Sequence, residues 1–97
     1  MNHNIKNEVL TIFLKGKINS SNSDEVEQEI DAILSGAQFK SIVFDLRELE
    51  YISSAGLRIL LRIKKQNDDT KIVNVSNDVY EIFDMVGFTS FLTIERK

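Results

Sequence analysis

The chain has 97 residues, room for one two-layer core and no second one, so any function is expected on the surface of a single small domain spanning residues 1–97. With 42% hydrophobic and 28% charged residues and no proline it has the composition of a folded globular protein, and the lack of cysteine excludes disulfides and thiolate chemistry. A net charge of −3 argues against general binding to nucleic acid or anionic membranes, and one histidine, His3, leaves almost nothing for a metal site or an imidazole base.

The polar start Met1-Asn2-His3-Asn4 is followed by no long apolar run, so a cytoplasmic location without membrane insertion is expected. Ile5 to Leu14 reads as a hairpin, two short strands about a turn at Asn7-Glu8, and Lys15-Gly16-Lys17-Ile18-Asn19 ends the second strand. After the polar cluster Ser20-Ser21-Asn22-Ser23, the residues Val26, Ile30, Ile33 and Leu34 fall at i, i+4, i+7 and i+8, the mark of an amphipathic helix. Its acidic residues Asp24, Glu25, Glu27, Glu29 and Asp31 read as a solvated face. Asn22 with Glu25 fits a capping box, Ser21 and Ser23 are alternative caps, and Gly36 is placed to end the helix.

Ile42-Val43-Phe44 is apolar at consecutive positions, which predicts a strand over Ser41 to Leu46 that is covered on both faces at the sheet centre. A charged turn, surrounded by Asp45, Glu48 and Glu50, is expected next, and then Tyr51-Ile52-Ser53-Ser54-Ala55-Gly56-Leu57 launches a second helix. Leu57, Leu60 and Leu61, with the stem of Lys64, give it a core stripe. Ile59 and Ile63 lie on a different face, where they either bury against a neighbouring helix, the favoured reading, or remain exposed for binding. Arg58, Arg62 and Lys65 add a basic strip.

Asn67-Asp68-Asp69 makes a turn before a strand over Lys71 to Val75. Ser76 reads as the cap of a third helix with Val79, Ile82, Phe83 and Val86 inward, Gly87 as its left-handed stop and Phe88 as the accompanying contact. A last strand is expected from Phe91 to Ile94. The order β-β-α-β-α-β-α-β predicts an α/β fold, a mainly parallel sheet of about five strands flanked by three helices, with the N-terminal hairpin as an antiparallel edge.

A serine hydroxyl at a helix start either caps free backbone N–H groups or accepts a phosphate that the helix end stabilises. Nucleophilic catalysis is the weaker reading, because the G-x-S-x-G elbow is absent, His3 is the sole imidazole and no glycine-rich phosphate loop exists. Glycine inside a first helical turn costs about 1 kcal/mol relative to alanine. Gly56 therefore implies either a close backbone approach or a partner that needs a bare surface.

At these residues the chain resembles the STAS family, the domain shared by sulfate transporters and bacterial anti-sigma-factor antagonists. Val43-Phe44-Asp45-Leu46 through Tyr51-Ile52-Ser53-Ser54-Ala55-Gly56-Leu57 looks like the family's D-L followed by D-S-S-G-L. Ile82-Phe83-Asp84-Met85-Val86-Gly87-Phe88 looks like its L-F-D-x-x-G-hydrophobic segment, and Gly16-Lys17-Ile18-Asn19 like its G-x-[LI]-D stretch. The resemblance implies an anti-sigma-factor antagonist, not itself an enzyme and without cofactor or metal, that binds an anti-sigma serine kinase of GHKL type. Phosphorylation of Ser54 would break that complex, a PP2C-type phosphatase would reverse it, and transcription would be regulated through the released sigma factor. The family's aspartate falls on Ser53, its second serine on Ala55 and its acid after the second strand on Asn19, so negative charge around the phosphoacceptor is reduced. Asn19, Ser53, Ala55 and Gly56 form the implied environment of Ser54, and Ser53, Ser54, Gly56, Leu57, Arg58, Ile59 and Arg62 the implied partner surface of a free monomer. The alternative is an unphosphorylated STAS adaptor, an accessory subunit of a transporter, or a nucleotide- or lipid-binding module.

Overall fold

The computed structural model describes residues 1–90 and 92–97. The elements are β1 (His3–Lys6), β2 (Val9–Ile18), α1 (Ser23–Gly36), β3 (Ser41–Ile52), α2 (Ser54–Gln66), β4 (Thr70–Val75), α3 (Asn77–Met85), a single 3₁₀ turn (Phe88–Ser90) and β5 (Thr93–Arg96). One five-stranded sheet has the order β1-β2-β3-β4-β5, with β1 antiparallel to β2 and the other three pairings parallel. The hairpin closes through Asn7 and Glu8, both at positive φ (54° and 67°), the paired left-handed conformation of a type I′ hairpin turn.

Each step from β2 to β5 moves the same way across the sheet, so right-handed crossovers bring all three helices to one face. Burial agrees. Leu10, Ile12, Leu14, Ile42, Phe44, Leu46 and Ile72 point into a core closed by Ile30, Leu57, Leu60, Ile63, Val79 and Phe83. On the other face Val9, Thr11, Phe13, Val43 and Val73 are half-buried and Lys71 is exposed. The expectation that Ile42-Val43-Phe44 is covered on both faces is therefore corrected: β3 is central, but its helices lie on one side only.

The charged turn after Leu46 is also corrected. β3 continues through it to Ile52, and its register against β2 slips twice, Phe13↔Asp45 giving way to Lys15↔Glu48 and Gly16↔Leu49 to Lys17↔Tyr51. Each slip puts one extra residue into β3, as a β-bulge does, and the inward positions become Leu46, Leu49 and Ile52, every third residue instead of every second. Gly16, at φ 71°, sits where the strands adjust. β2 runs to Ile18, within the Lys15–Asn19 stretch expected to end it.

The helices follow the sequence reading with three changes. In α2 the buried set is Leu57, Ile59, Leu60 and Ile63, while Leu61 and Lys64 are half-buried. In α3 Ser76 caps the helix by accepting from the Val79 N–H (3.3 Å) and Gly87 takes the left-handed stop at φ 77°, but Val86 is 48% exposed instead of inward. Phe88 stacks on Phe83 with ring centroids 6.4 Å apart. In α1 the capping box does not form, because Asn22 accepts from the Asn19 N–H (2.8 Å) and donates to the Lys17 carbonyl (2.8 Å). Phe91, the expected start of the last strand, lies outside the described residues, and β5 begins at Thr93.

Candidate functional site

The serine pair sits where β3 ends and α2 begins. Ile52 pairs with Ile18, and the Ser53 N–H donates to the Ile18 carbonyl at 2.8 Å, so the start of α2 is fastened to the end of β2. Because β2, β3 and β4 are parallel, the turns that lead into all three helices gather at this one end of the sheet.

The two serines have different jobs. Ser53 is the N-cap, in extended conformation (φ −84°, ψ 173°), its Oγ accepting from the Gly56 N–H at 3.4 Å and its carbonyl from the Leu57 N–H at 2.9 Å. Ser54 is the first helical residue and is exposed, and among the described residues its hydroxyl has no protein partner. Its own N–H and that of Ala55 likewise lack an acceptor there, as expected of a helix's first turn, and no acidic residue occupies that turn. Nothing titratable hydrogen-bonds to either serine among the described residues, and those residues include no group of three His, Cys, Asp or Glu side chains able to hold a metal ion.

Gly56 has a packing reason. A Cβ built on it would lie 2.6 Å from Ile52 Cγ1 and 2.9 Å from Ile18 Cγ2, so the helix start presses onto the ends of β3 and β2. Of the two readings left open by the sequence, close approach is the one realised, and the bare surface is inside. Leu57 and Ile59, at 2% and 5% exposure, are core residues too. Of the expected partner surface, Ser54 and Arg58 are exposed, Ser53 and Arg62 are half-buried, and Gly56, Leu57 and Ile59 offer almost no surface.

Asn19 organises the loop beside Ser53. Its Oδ1 accepts from the Ser21 N–H (3.0 Å) and hydroxyl (2.6 Å), and its carbonyl accepts from the Ser23 N–H (2.9 Å). The side chain is committed to its own loop and makes no hydrogen bond to Ser53 or Ser54. Tyr51, 44% exposed and paired in register with Lys17, joins this end of the sheet. Sequence reasoning did not single it out, although an aromatic residue two positions before the cap was the available signal.

Arg62 clamps α2 to α1, its Nε donating to Glu27 (2.9 Å) and its Nη2 to Asp31 (2.8 Å). The hydrogen bond to Asp31, reinforced by Glu27, raises the guanidinium above its ordinary value against a smaller opposing effect of desolvation. A groove of about 690 Å³ between the two helices is lined by both members of the Arg62–Glu27 pair, with Asp24 on the α1 side and Ala55, Arg58, Ile59 and Lys65 on the α2 side.

Over residues 1–97 the chain matches the STAS domain family. It is 33% identical over 90 residues to BtrV of Bordetella bronchiseptica, which bears the name of an anti-sigma factor antagonist, and 28% identical over 90 residues to the anti-sigma F factor antagonist of Paenibacillus polymyxa. Each alignment covers 89% of this chain and 77% of the relative. The crystal structure of an anti-sigma factor antagonist from Mycobacterium paratuberculosis superposes with a TM-score of 0.86 at 18% identity, covering 99% of this chain and 84% of that one, a likeness of fold. With the family's serine-bearing strand-to-helix junction, its glycine-stopped third helix and its five-stranded sheet all in place, the chain belongs to the STAS domain family.

Proposed function

We propose that this chain is an anti-sigma-factor antagonist that binds an anti-sigma serine kinase through the start of α2 and is released from it by phosphorylation of Ser54. The observation that carries the reading is the division of labour between the serines. Ser53 caps the helix start by accepting from the Gly56 N–H, while the Ser54 hydroxyl is exposed and free of structural duty. A phosphate adds about −1.5 to −2 charge with strong acceptor oxygens, and at a helix N-terminus it lies beside unpaired N–H donors. The modification is then compatible with the fold while it makes the docking face anionic and hydrated. The names borne by the relatives in Bordetella and Paenibacillus support the same reading.

The kinase is of GHKL type and doubles as the anti-sigma factor, a PP2C-type phosphatase restores the free serine, and the cycle runs in the cytoplasm with a monomeric antagonist. Incubation with the cognate kinase and ATP, followed by mapping of the modified residue by mass spectrometry, is expected to label Ser54 alone. Ser54→Ala should keep kinase binding and Ser54→Asp should weaken it by tenfold or more, on the order of 1.4 kcal/mol. Labelling at another residue, or equal affinity of the two variants, overturns the switch.

A further inference from the structure

Four cations lie on α2, and three of them are either engaged elsewhere or far from the serine pair. Arg62 is held by Glu27 and Asp31, Lys64 donates to the Asp68 carbonyl, and Lys65 stands eleven residues beyond Ser54, roughly 16 Å along the helix. Arg58 is different. It is exposed, comes four residues after Ser54, and has no carboxylate within salt-bridge distance among the described residues. Residues four apart on a helix have Cβ atoms about 5–6 Å apart, and helical side chains lean towards the N-terminus, so Arg58 is directed over the turn that carries Ser54. Few acids compete for it. From α1, Asp24 and Glu27 line the same groove, but Glu27 is taken by Arg62, and the first turn of α2 has no acidic residue.

We infer that Arg58 is the positioning residue of the phosphorylated state: once Ser54 carries a phosphate, the Arg58 guanidinium closes onto it as an i, i+4 ion pair within α2. The inference rests on the reading of Ser54 as the phosphoacceptor and concerns what this chain does with the phosphate after transfer, not what it docks to. Magnitudes favour the phosphate over Asp24 as the partner. Its charge of about −1.5 to −2 exceeds that of a single carboxylate, it sits on the same helix instead of across a groove, and the anion lies N-terminal to the cation, the better order for such a pair. A guanidinium can also fork onto two phosphate oxygens, which an ammonium cannot, so arginine and lysine are not equivalent at this position. A neighbouring cation favours the fully ionised phosphate, so the pair lowers the second ionisation of the phosphoserine from its ordinary value of about 6. The modification thereby gives the first turns of α2 an ion pair that the unmodified chain lacks and holds the phosphate in one orientation over the helix.

The test is a phosphorus NMR titration of the full chain phosphorylated at Ser54, made with genetically encoded phosphoserine so that no kinase is needed. The variants are Arg58→Gln, Arg58→Lys and two controls, Lys65→Gln at the far end of α2 and Lys17→Gln, an exposed position of β2 whose side chain leaves the strand on the face opposite the buried Ile18. Arg58→Gln is expected to raise the second phosphate pKa by about 0.3 or more, the scale of an i, i+4 ion pair, and each control to move it by less than about 0.1. Arg58→Lys should fall between the parent chain and Arg58→Gln, and salt near 1 M should shrink the difference between the parent and Arg58→Gln. The helix end acts on the phosphate in every variant alike, so this difference reads Arg58 itself. A change for Arg58→Gln no larger than for the controls overturns the pair, as does a larger change for Lys17→Gln, which would give the phosphate to the end of β2. Binding of the same phosphorylated chain to its cognate anti-sigma factor is read separately: undiminished binding overturns the release proposed for Ser54, while the pair is decided by the titration alone.

Discussion

Two adjacent serines look interchangeable in the sequence, and backbone conformation separates them. Ser53, extended, turns its Oγ back to the Gly56 N–H, while Ser54, already helical, makes no such bond. Ser53→Ala should therefore lower stability by about 1 kcal/mol, whereas Ser54→Ala should change it by less than about 0.5 kcal/mol. Urea denaturation of the two variants reads the difference directly, and a larger loss at Ser54 would exchange the roles. Gly56 was legible in the sequence as an anomaly, but the neighbours that explain it, Ile18 and Ile52, come from two different strands. Nothing local to the Ser53–Leu57 stretch reveals that a Cβ has no room there.

Among the elements, β3 departs furthest from its sequence pattern. Leu46, Leu49 and Ile52 break the two-residue alternation of a strand, so the charged stretch after Leu46 reads as a turn. The two bulges that reconcile this spacing with a strand exist only in the register against β2. Asp45, 7% exposed, supports the same region, its carboxylate accepting from the Arg47 N–H and from Asn74 Nδ2, both at 3.0 Å. Asn74 reaches it from an irregular stretch of β4 at φ 57°, a conformation that asparagine adopts more readily than most residues. Asn74→Ala loses the hydrogen bond and places an ordinary Cβ in the left-handed region, at an expected cost of about 2 kcal/mol; Asn74→Gly should cost about half as much, since only the bond is lost. Equilibrium unfolding of both variants separates the two contributions.

Across the whole molecule, the helices all lie on one face of the sheet, and residues one apart on the same strand therefore differ sharply in weight. Phe44 is fully buried beneath the helices and Val43 only half-buried on the open face. Phe44→Ala should cost about 4 kcal/mol, whereas Val43→Thr should cost less than about 1 kcal/mol, because a β-branched residue on a solvated strand face keeps its conformation and loses little packing. Thermal unfolding of the pair tests the asymmetry; similar losses would mean that the open face is covered. The Arg62 clamp acts at this scale as well, since it joins residues 31 and 35 positions apart in the chain and holds α2 against α1.

By itself the sequence determined the order of elements, the hairpin turn, the Ser76 cap and Gly87 stop of α3, and the helix launched from the serine pair. All of these follow from local conformational preference and periodicity, which short stretches carry whole. Tertiary structure decided which face of α2 turns inward, that β3 runs on through its charged segment, that helices cover one side of the sheet only, and which of Arg58, Arg62 and Lys65 remain free. Those outcomes depend on contacts between residues distant in sequence. Five of the first ten residues of α2 are leucine or isoleucine, so periodicity permits more than one buried arc. Packing against the sheet and the two carboxylates of α1 selects the arc that buries Ile59 and Ile63 and leaves Leu61 beside Ser54, Arg58 and Lys65.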